Sequence, residues 1–220
     1  MSSVFDIIGP IMIGPSSSHT AGAARLGKMA RYIFRAEPTH VTLKLYGSFA
    51  KTYKGHGTNK ALIAGLLGFE ADSEMITAAF AVAQERGLTY EFVECETDMG
   101  HPNVVTFIME APGAKPMSVT GRSLGGGLIL ITDIDGLAVE VRGTEHTLMT
   151  FHQDRPGIIS NVTRILAFEK INISSMQVFR KEKNADAVML IHTDQPIEDR
   201  VLEAIRNTPC IMDVMSFEPL

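Results

Sequence analysis

Four hydroxyl side chains and one imidazole follow a Gly-Pro turn in Gly14-Pro15-Ser16-Ser17-Ser18-His19-Thr20. The small residues Ala21-Gly22-Ala23-Ala24 come next and let a second surface approach the start of a helix. Free backbone N–H groups at a helix N-terminus attract anions, and Ser or Thr hydroxyls both cap the helix and donate to a carboxylate. One serine would suffice for an N-cap, so the run of hydroxyls favours an anion site over a plain cap. Lys54-Gly55-His56-Gly57-Thr58-Asn59 repeats the theme, with a glycine-flanked histidine before a helix and Thr58 or Asn59 as cap. Glycine on both sides exposes the imidazole and permits unusual backbone angles, as a general base in a cleft needs. A histidine on a surface loop is the competing reading, and the residues alone leave both standing. Two weaker segments join strand-like stretches. His101-Pro102-Asn103 offers an imidazole and an amide, and Ser123-Leu124-Gly125-Gly126-Gly127 offers backbone that can come close to a ligand. The triple glycine precedes no Lys-Ser/Thr pair and lies in no Gly-x-Gly-x-x-Gly pattern, so it is neither a Walker loop nor a dinucleotide fingerprint.

The elements that must position these groups can be read from periodicity. Leu26, Met29, Ala30 and Ile33 repeat at three- and four-residue spacing, which predicts a helix from Gly22 to Arg35 stopped by Pro38. Val41 to Gly47 alternates like a half-buried strand, and a helix is expected from Asn59 to Leu67. Ser73 is expected to cap a third helix to Arg86. Strands are expected at Tyr90–Glu94, Val104–Glu110, Met117–Gly121 and Leu128–Ile134, which makes an α+β unit. The polar break Arg142-Gly143-Thr144-Glu145-His146 places a domain boundary, giving domains 1–143 and 147–220. In the second, Thr147–His152, Gly157–Glu169, Ile171–Arg180, Ala185–Thr193, Ile197–Asn207 and Cys210–Phe217 read as β-α-β-β-α-β, the ferredoxin-like order. Lys181-Glu182-Lys183-Asn184 is the expected hairpin turn.

Composition bounds the function. The 220 residues are 45% hydrophobic and 20% charged, enough for one or two cores. The net charge of -5 comes with no basic stripe, which argues against nucleic acid as a partner. Cys95 and Cys210 fit no Cys-x-x-Cys or zinc-knuckle spacing, so no metal site is expected in this chain and any soft-metal chemistry must be borrowed. The apolar run Val4 to Gly14, with Ala21-Gly22-Ala23 behind it, imitates a secretory signal. No Lys or Arg precedes it, Asp6 sits inside it, and Pro10 and Gly14 break it, so it is not read as one. Ala61–Phe69 and Gly127–Ile131 fall far short of the ~20 residues that span a bilayer. A soluble, cytoplasmic protein with no membrane association is expected.

Taken in order, Gly-Pro-Ser-Ser-Ser-His-Thr, Lys-Gly-His-Gly-Thr, His-Pro-Asn and Ser-x-Gly-Gly-Gly, followed by an ACT-like half, resemble the beta subunit of bacterial iron–sulfur-dependent L-serine dehydratase. The resemblance covers essentially the whole chain. Asn59 departs from it, because that family usually has Asp there. It implies an ammonia-lyase that converts L-serine to pyruvate and ammonia at a 4Fe-4S cluster. Such a cluster needs several thiolates, so two cysteines imply that it sits on a separate alpha subunit, with this chain closing the active site. An under-coordinated iron would act as Lewis acid on the serine hydroxyl and a base would take the Cα proton, after which the aminoacrylate would tautomerise and hydrolyse. By the same resemblance His56 is the base and His19 the second catalytic histidine. Ser16, Ser17, Ser18 and Thr20 orient the substrate with His19, and Asn103, Gly125 and Gly126 support the pocket.

His152-Gln153-Asp154-Arg155-Pro156-Gly157 and Asn172 resemble the serine-sensing ACT domain of bacterial phosphoglycerate dehydrogenase, which grips its amino acid with a His and two Asn. His152 and Asn172 match in type and spacing, while Asp154 replaces the first Asn. An Asp attracts the serine ammonium but cannot donate to the carboxylate, and a turn residue capping the following helix is its equal alternative. Such domains pair side by side, so a homodimer through the ACT half, within a heterotetramer with alpha subunits, is expected. The contrasting class is a non-catalytic amino-acid sensor in which both domains bind serine and regulate another protein. The four ordered motifs favour the lyase subunit.

Overall fold

The computed structural model describes Gly14 and residues 16–220. The apolar run Val4 to Gly14 lies outside these residues except for its last position. The chain divides into two compact units, the first ending at Gly136 and the second beginning at Leu137.

A five-residue π-helical turn, Ser17–Ala21, opens the first unit and runs straight into α1 (Gly22–Phe34). Leu26, Met29, Ala30 and Ile33 are fully buried, as their spacing predicts. The helix ends at Arg35, whose left-handed φ of 61° turns the chain, so Pro38 lies beyond the stop and does not cause it. The strand β1 (His40–Tyr46) alternates buried and half-buried positions. It is followed by α2 (Gly47–Thr52) and α3 (Thr58–Leu66). Ser73 does cap, but it caps a 3-10 turn at Glu74–Ile76 and not a continuous helix. Ala78 departs from helical backbone at φ -96°, ψ 4°, and α4 (Ala79–Glu85) starts afresh.

The strands β2 (Thr89–Cys95), β3 (Asn103–Glu110), β4 (Met117–Gly125) and β5 (Leu128–Ile134) complete the unit. Their order in the sheet is β2-β1-β3-β4-β5. Only β1 and β2 run parallel, since the three helices between them bring the chain back to the same end. One face of the sheet carries Leu43, Leu45, Val105, Phe107 and Val119, all fully buried. The helix α1 packs closely there because Gly121 leaves room for Leu26. A Cβ on that glycine would sit 2.6 Å from Leu26 Cδ2.

The second unit begins with β6 (Leu137–Val141), where no element was expected. It continues as β7 (His146–Gln153), α5 (Ile158–Phe168), β8 (Ile173–Arg180), β9 (Asp186–Thr193), α6 (Asp199–Arg206) and β10 (Ile211–Phe217). The last six form the βαββαβ order with sheet order β10-β7-β9-β8, all antiparallel. Val162 and Leu166 of α5 and Val201 and Ile205 of α6 close over Leu148, Met189, Ile191 and Val214 of the sheet. Asn184 takes the left-handed position of the β8–β9 hairpin, φ 65°. Among the described residues no helix is long and apolar enough to cross a membrane.

Candidate active site

Ser16 caps the π turn, its Oγ accepting from the His19 backbone N–H at 3.3 Å. The same oxygen lies 3.4 Å from His19 Nδ1. The wide turn then aims the imidazole at α2, where Nε2 lies 3.2 Å from Ser48 Oγ and the ring meets the Phe49 ring edge-on at 5.2 Å. The His56 ring stands 5.0 Å from that of His19. The fold thus brings together the histidines of the first two motifs, 37 positions apart in sequence. Burial, and then the facing His56, hold the His19 pKa below its ordinary 6.5, so this imidazole is neutral at neutral pH. His56 is exposed. Its Nδ1 lies 3.4 Å from the Thr52 carbonyl, and a carbonyl only accepts, so Nδ1 carries the hydrogen and Nε2 keeps a lone pair when the ring is neutral.

The other two motifs close on the same place. Gly126 N–H donates to Ser17 Oγ at 3.3 Å, Gly125 approaches Ser18 Oγ, and Arg25 holds the Gly127 carbonyl at 3.0 Å. Gly125, Gly126 and Gly127 have φ of 94°, 60° and 79°, three consecutive left-handed residues that explain the triple glycine. Pro102 O accepts from Ser48 N–H at 2.6 Å and from Phe49 N–H at 3.3 Å, which ties the third motif to the start of α2. His101 turns inward, Nδ1 accepting from Asn103 N–H at 3.2 Å, and burial followed by the nearby Arg122 lowers its pKa. A cavity of about 540 Å³, lined in part by Gly47, Lys51, Cys95 and His101, adjoins the same helix and loop.

Among the described residues, four buried side-chain oxygens have no hydrogen-bond partner: Thr20 Oγ1, Thr58 Oγ1, Asn103 Oδ1 and Ser123 Oγ. Each of the four motifs contributes one. Leaving a buried polar group unpaired costs about 1–3 kcal/mol; two buried nitrogens, Arg122 Nε beside the glycine loop and His146 Nδ1 in the second unit, share this condition. Ser123 Oγ also sits where a Cβ on Gly22 would be, which explains a small residue at the start of α1. Ser48 was not anticipated. It lies 29 positions from His19, and only the glycine before it, with φ 59°, hinted that the strand ends in a sharp turn.

The described residues hold no cluster of three or more His, Cys, Asp or Glu arranged for a metal. Cys95 and Cys210 belong to different units. The residues present therefore do not fit a 4Fe-4S cluster.

In the second unit, His152 is 2% exposed at the end of β7, its Nδ1 3.2 Å from Thr150 Oγ1. Burial lowers its pKa, against smaller opposing effects of Thr150 and Asp154. Asp154 is engaged within the fold, where Oδ2 accepts from Asn184 N–H at 3.1 Å and from Arg180 Nη1 at 2.6 Å. Those bonds hold its carboxyl below the usual range. It does not cap α5, whose N-cap is Gly157 with no side-chain bond. Asn172, exposed just before β8, donates to Asp194 Oδ2 at 2.6 Å. The hydrogen bonds of these three residues thus run to different partners within the fold.

The βαββαβ half defines the class first, since residues 146–210 match the ACT domain. Residues 3–133, which carry the four motifs, match the family described as serine dehydratase beta chain. The protein is 43% identical over 212 residues, 96% of both chains, to a probable L-serine dehydratase beta chain of Bacillus subtilis. It is 38% identical over 92% of both chains to the L-serine dehydratase beta chain of Peptoniphilus asaccharolyticus. The chain belongs to the serine dehydratase beta chain family, with an ACT domain behind it. A D-3-phosphoglycerate dehydrogenase of Bacillus subtilis is 30% identical over 87% of this chain and 36% of its own, so that likeness extends beyond the ACT half.

Proposed function

We propose that this chain is the beta subunit of a cytoplasmic L-serine ammonia-lyase, forming pyruvate and ammonia with a separate alpha subunit that holds a 4Fe-4S cluster. The observation that carries the reading is the convergence of the four motifs, with His19 and His56 5.0 Å apart, the glycine loop bonded to Ser17 and Pro102 bonded to the start of α2 beside His19. Such a convergence of polar groups, with His56 left at the surface, suits a chain that supplies one wall of an active site. Ser16, Ser17, Ser18, Thr20 and His19 bind the substrate carboxylate. The neutral His19 adds no charge, and since its ring nitrogens face Ser16 and Ser48 it acts on the carboxylate through those hydroxyls. His56 takes the Cα proton on Nε2, the nitrogen its Thr52 contact leaves open. Its exposure suits a base that only the partner shields from water. Asn103, Gly125 and Gly126 shape the wall. In the second unit His152, Asp154 and Asn172 form a separate serine site. Two copies pair through the ACT half within a heterotetramer, for which β8 offers an edge strand carrying the exposed Met176 and Val178.

The test is kinetic, on single variants co-purified with the alpha chain at equal cluster content. His56→Ala should lower turnover by about 100-fold or more with serine binding nearly intact. His19→Ala should mainly raise KM, since it removes binding common to ground and transition states. Near wild-type turnover in His56→Ala would move the base to the partner.

A further inference from the structure

Two serines from separate parts of the chain hold the two ring nitrogens of His19, Ser16 Oγ at 3.4 Å from Nδ1 and Ser48 Oγ at 3.2 Å from Nε2. A neutral imidazole has one N–H and one lone pair, so one serine must donate to the ring while the other accepts from it. Ser16 Oγ already accepts the His19 backbone N–H, which polarises its own O–H as a donor toward Nδ1. Nε2 then carries the hydrogen and gives it to Ser48. Ser48 is itself fixed on both sides. Its N–H donates to Pro102 O, its carbonyl accepts from Thr52 Oγ1 at 2.8 Å, and Gly47 before it bridges to Asn103.

We propose that Ser48 is a positioning residue of the serine site, accepting the Nε2 hydrogen of His19 and so fixing the tautomer and plane of that ring. Its own hydroxyl hydrogen is then the outward donor of the Ser16–His19–Ser48 chain. This residue lies in none of the four motifs, yet three of them meet at it: the first through His19, the second through α2, which leads into the His56 loop, and the third through Pro102. The inference rests on the reading of this pocket as the place where serine binds.

Two measurements test it. In the full chain alone, 15N spectra of the histidine rings should show His19 as the Nε2–H tautomer. Ser48→Ala should displace its Nε2 signal while Ser48→Thr, which keeps the hydroxyl, preserves it. In the enzyme reconstituted with the alpha chain, Ser48→Ala should raise KM for serine about 5- to 10-fold, the worth of one hydrogen bond, with turnover little changed. Ser48→Thr should restore KM to within about twofold, and adding Ser48→Ala to His19→Ala should change nothing further. An Nδ1–H tautomer in the wild type, or KM effects that multiply in the double variant, would overturn the proposal. A wild-type reconstituted enzyme that makes no pyruvate would instead overturn the dehydratase reading, and the ring spectra would still decide the Ser48 bond.

Discussion

The substitution Gly65→Ala sets two effects of opposite sign against each other. Gly65 of α3 and Gly27 of α1 face one another where the helices cross. A Cβ on Gly65 would overlap the Ala24 carbonyl oxygen and lie 2.7 Å from Lys28 N and 2.9 Å from Ala24 C. All three are backbone atoms of α1, which no rotamer change can move aside. Ordinary Cβ contacts begin near 3.4 Å, so the helices must part. Helix propensity alone favours the alanine by about 1 kcal/mol. Overpacking costs about 1–3 kcal/mol, and three backbone contacts below 3 Å place this site at the upper end. The net is a loss of about 2 kcal/mol, or roughly 4–8 °C in the melting of the first unit. Urea and thermal melts followed by circular dichroism would measure it. Gly55→Ala serves as the control, since its Cβ would stand 3.8 Å from the Thr52 carbonyl oxygen and should change stability by less than about 0.5 kcal/mol. Because His19 leads into α1 and His56 into α3, the same separation should also lower serine turnover. A Gly65→Ala chain as stable as the wild type, or more so, would refute the packing argument.

Two further outcomes follow from the electrostatics. His19, His101 and His152 all have pKa values lowered below 6.5 chiefly by burial, so at acid pH the unfolded chain binds more protons than the folded one. Their contribution is complete above 6.5 and declines as pH falls through that value. Thermal melts should therefore give a lower midpoint at about pH 5.5 than at about pH 7.5, and an equal or higher one would contradict the burial argument. Asp154→Asn should lower the melting temperature at neutral pH by removing the charge that faces Arg180. The gap to wild type should close as pH drops below the usual 3.8, where the wild-type carboxyl protonates in its turn. A gap that stays constant into strong acid would show that the charge is not what matters.

Most strands were legible to within two residues because apolar and β-branched runs end at turn residues. Even so, β3 and β9 bury consecutive residues instead of alternating, and β4 runs past the expected Gly121 to Gly125. Expected Val104–Glu110 became Asn103–Glu110, and Leu128–Ile134 was unchanged. The βαββαβ half was equally clear, since two amphipathic helices alternate with four such runs. What escaped were elements too short to show a period. With six residues, α2 starts at a left-handed glycine, and β6 has only five. The break inside Ser73–Arg86 escaped for another reason, because a 3-10 turn keeps the same apolar residue types as the helix it interrupts. In the candidate site, the side chains carried by unusual local sequence were visible, namely Ser16 to Thr20, His56, Asn103 and the glycine loop. Ser48 was not, because its partnership with His19 is tertiary and Gly-Ser has no chemical signature. The engagement of Asp154 by Arg180 across the β8–β9 hairpin was hidden in the same way.

The π turn at Ser17–Ala21 gives the first unit something a plain helix lacks. A turn with one surplus residue sets the side chains upstream about 100° out of step with those downstream, at one residue's worth of rotation. The buried stripe of α1 from Leu26 onward and the polar group from Ser16 to His19 are therefore indexed independently, like two hands on one shaft. Removing a single residue between His19 and the stripe, Thr20 for instance, would return the turn to ordinary α geometry without disturbing the stripe. It would swing His19 away from Ser48 and His56. Insertions and deletions at this point are thus a route by which such a fold gains or loses its chemistry while its core stays the same.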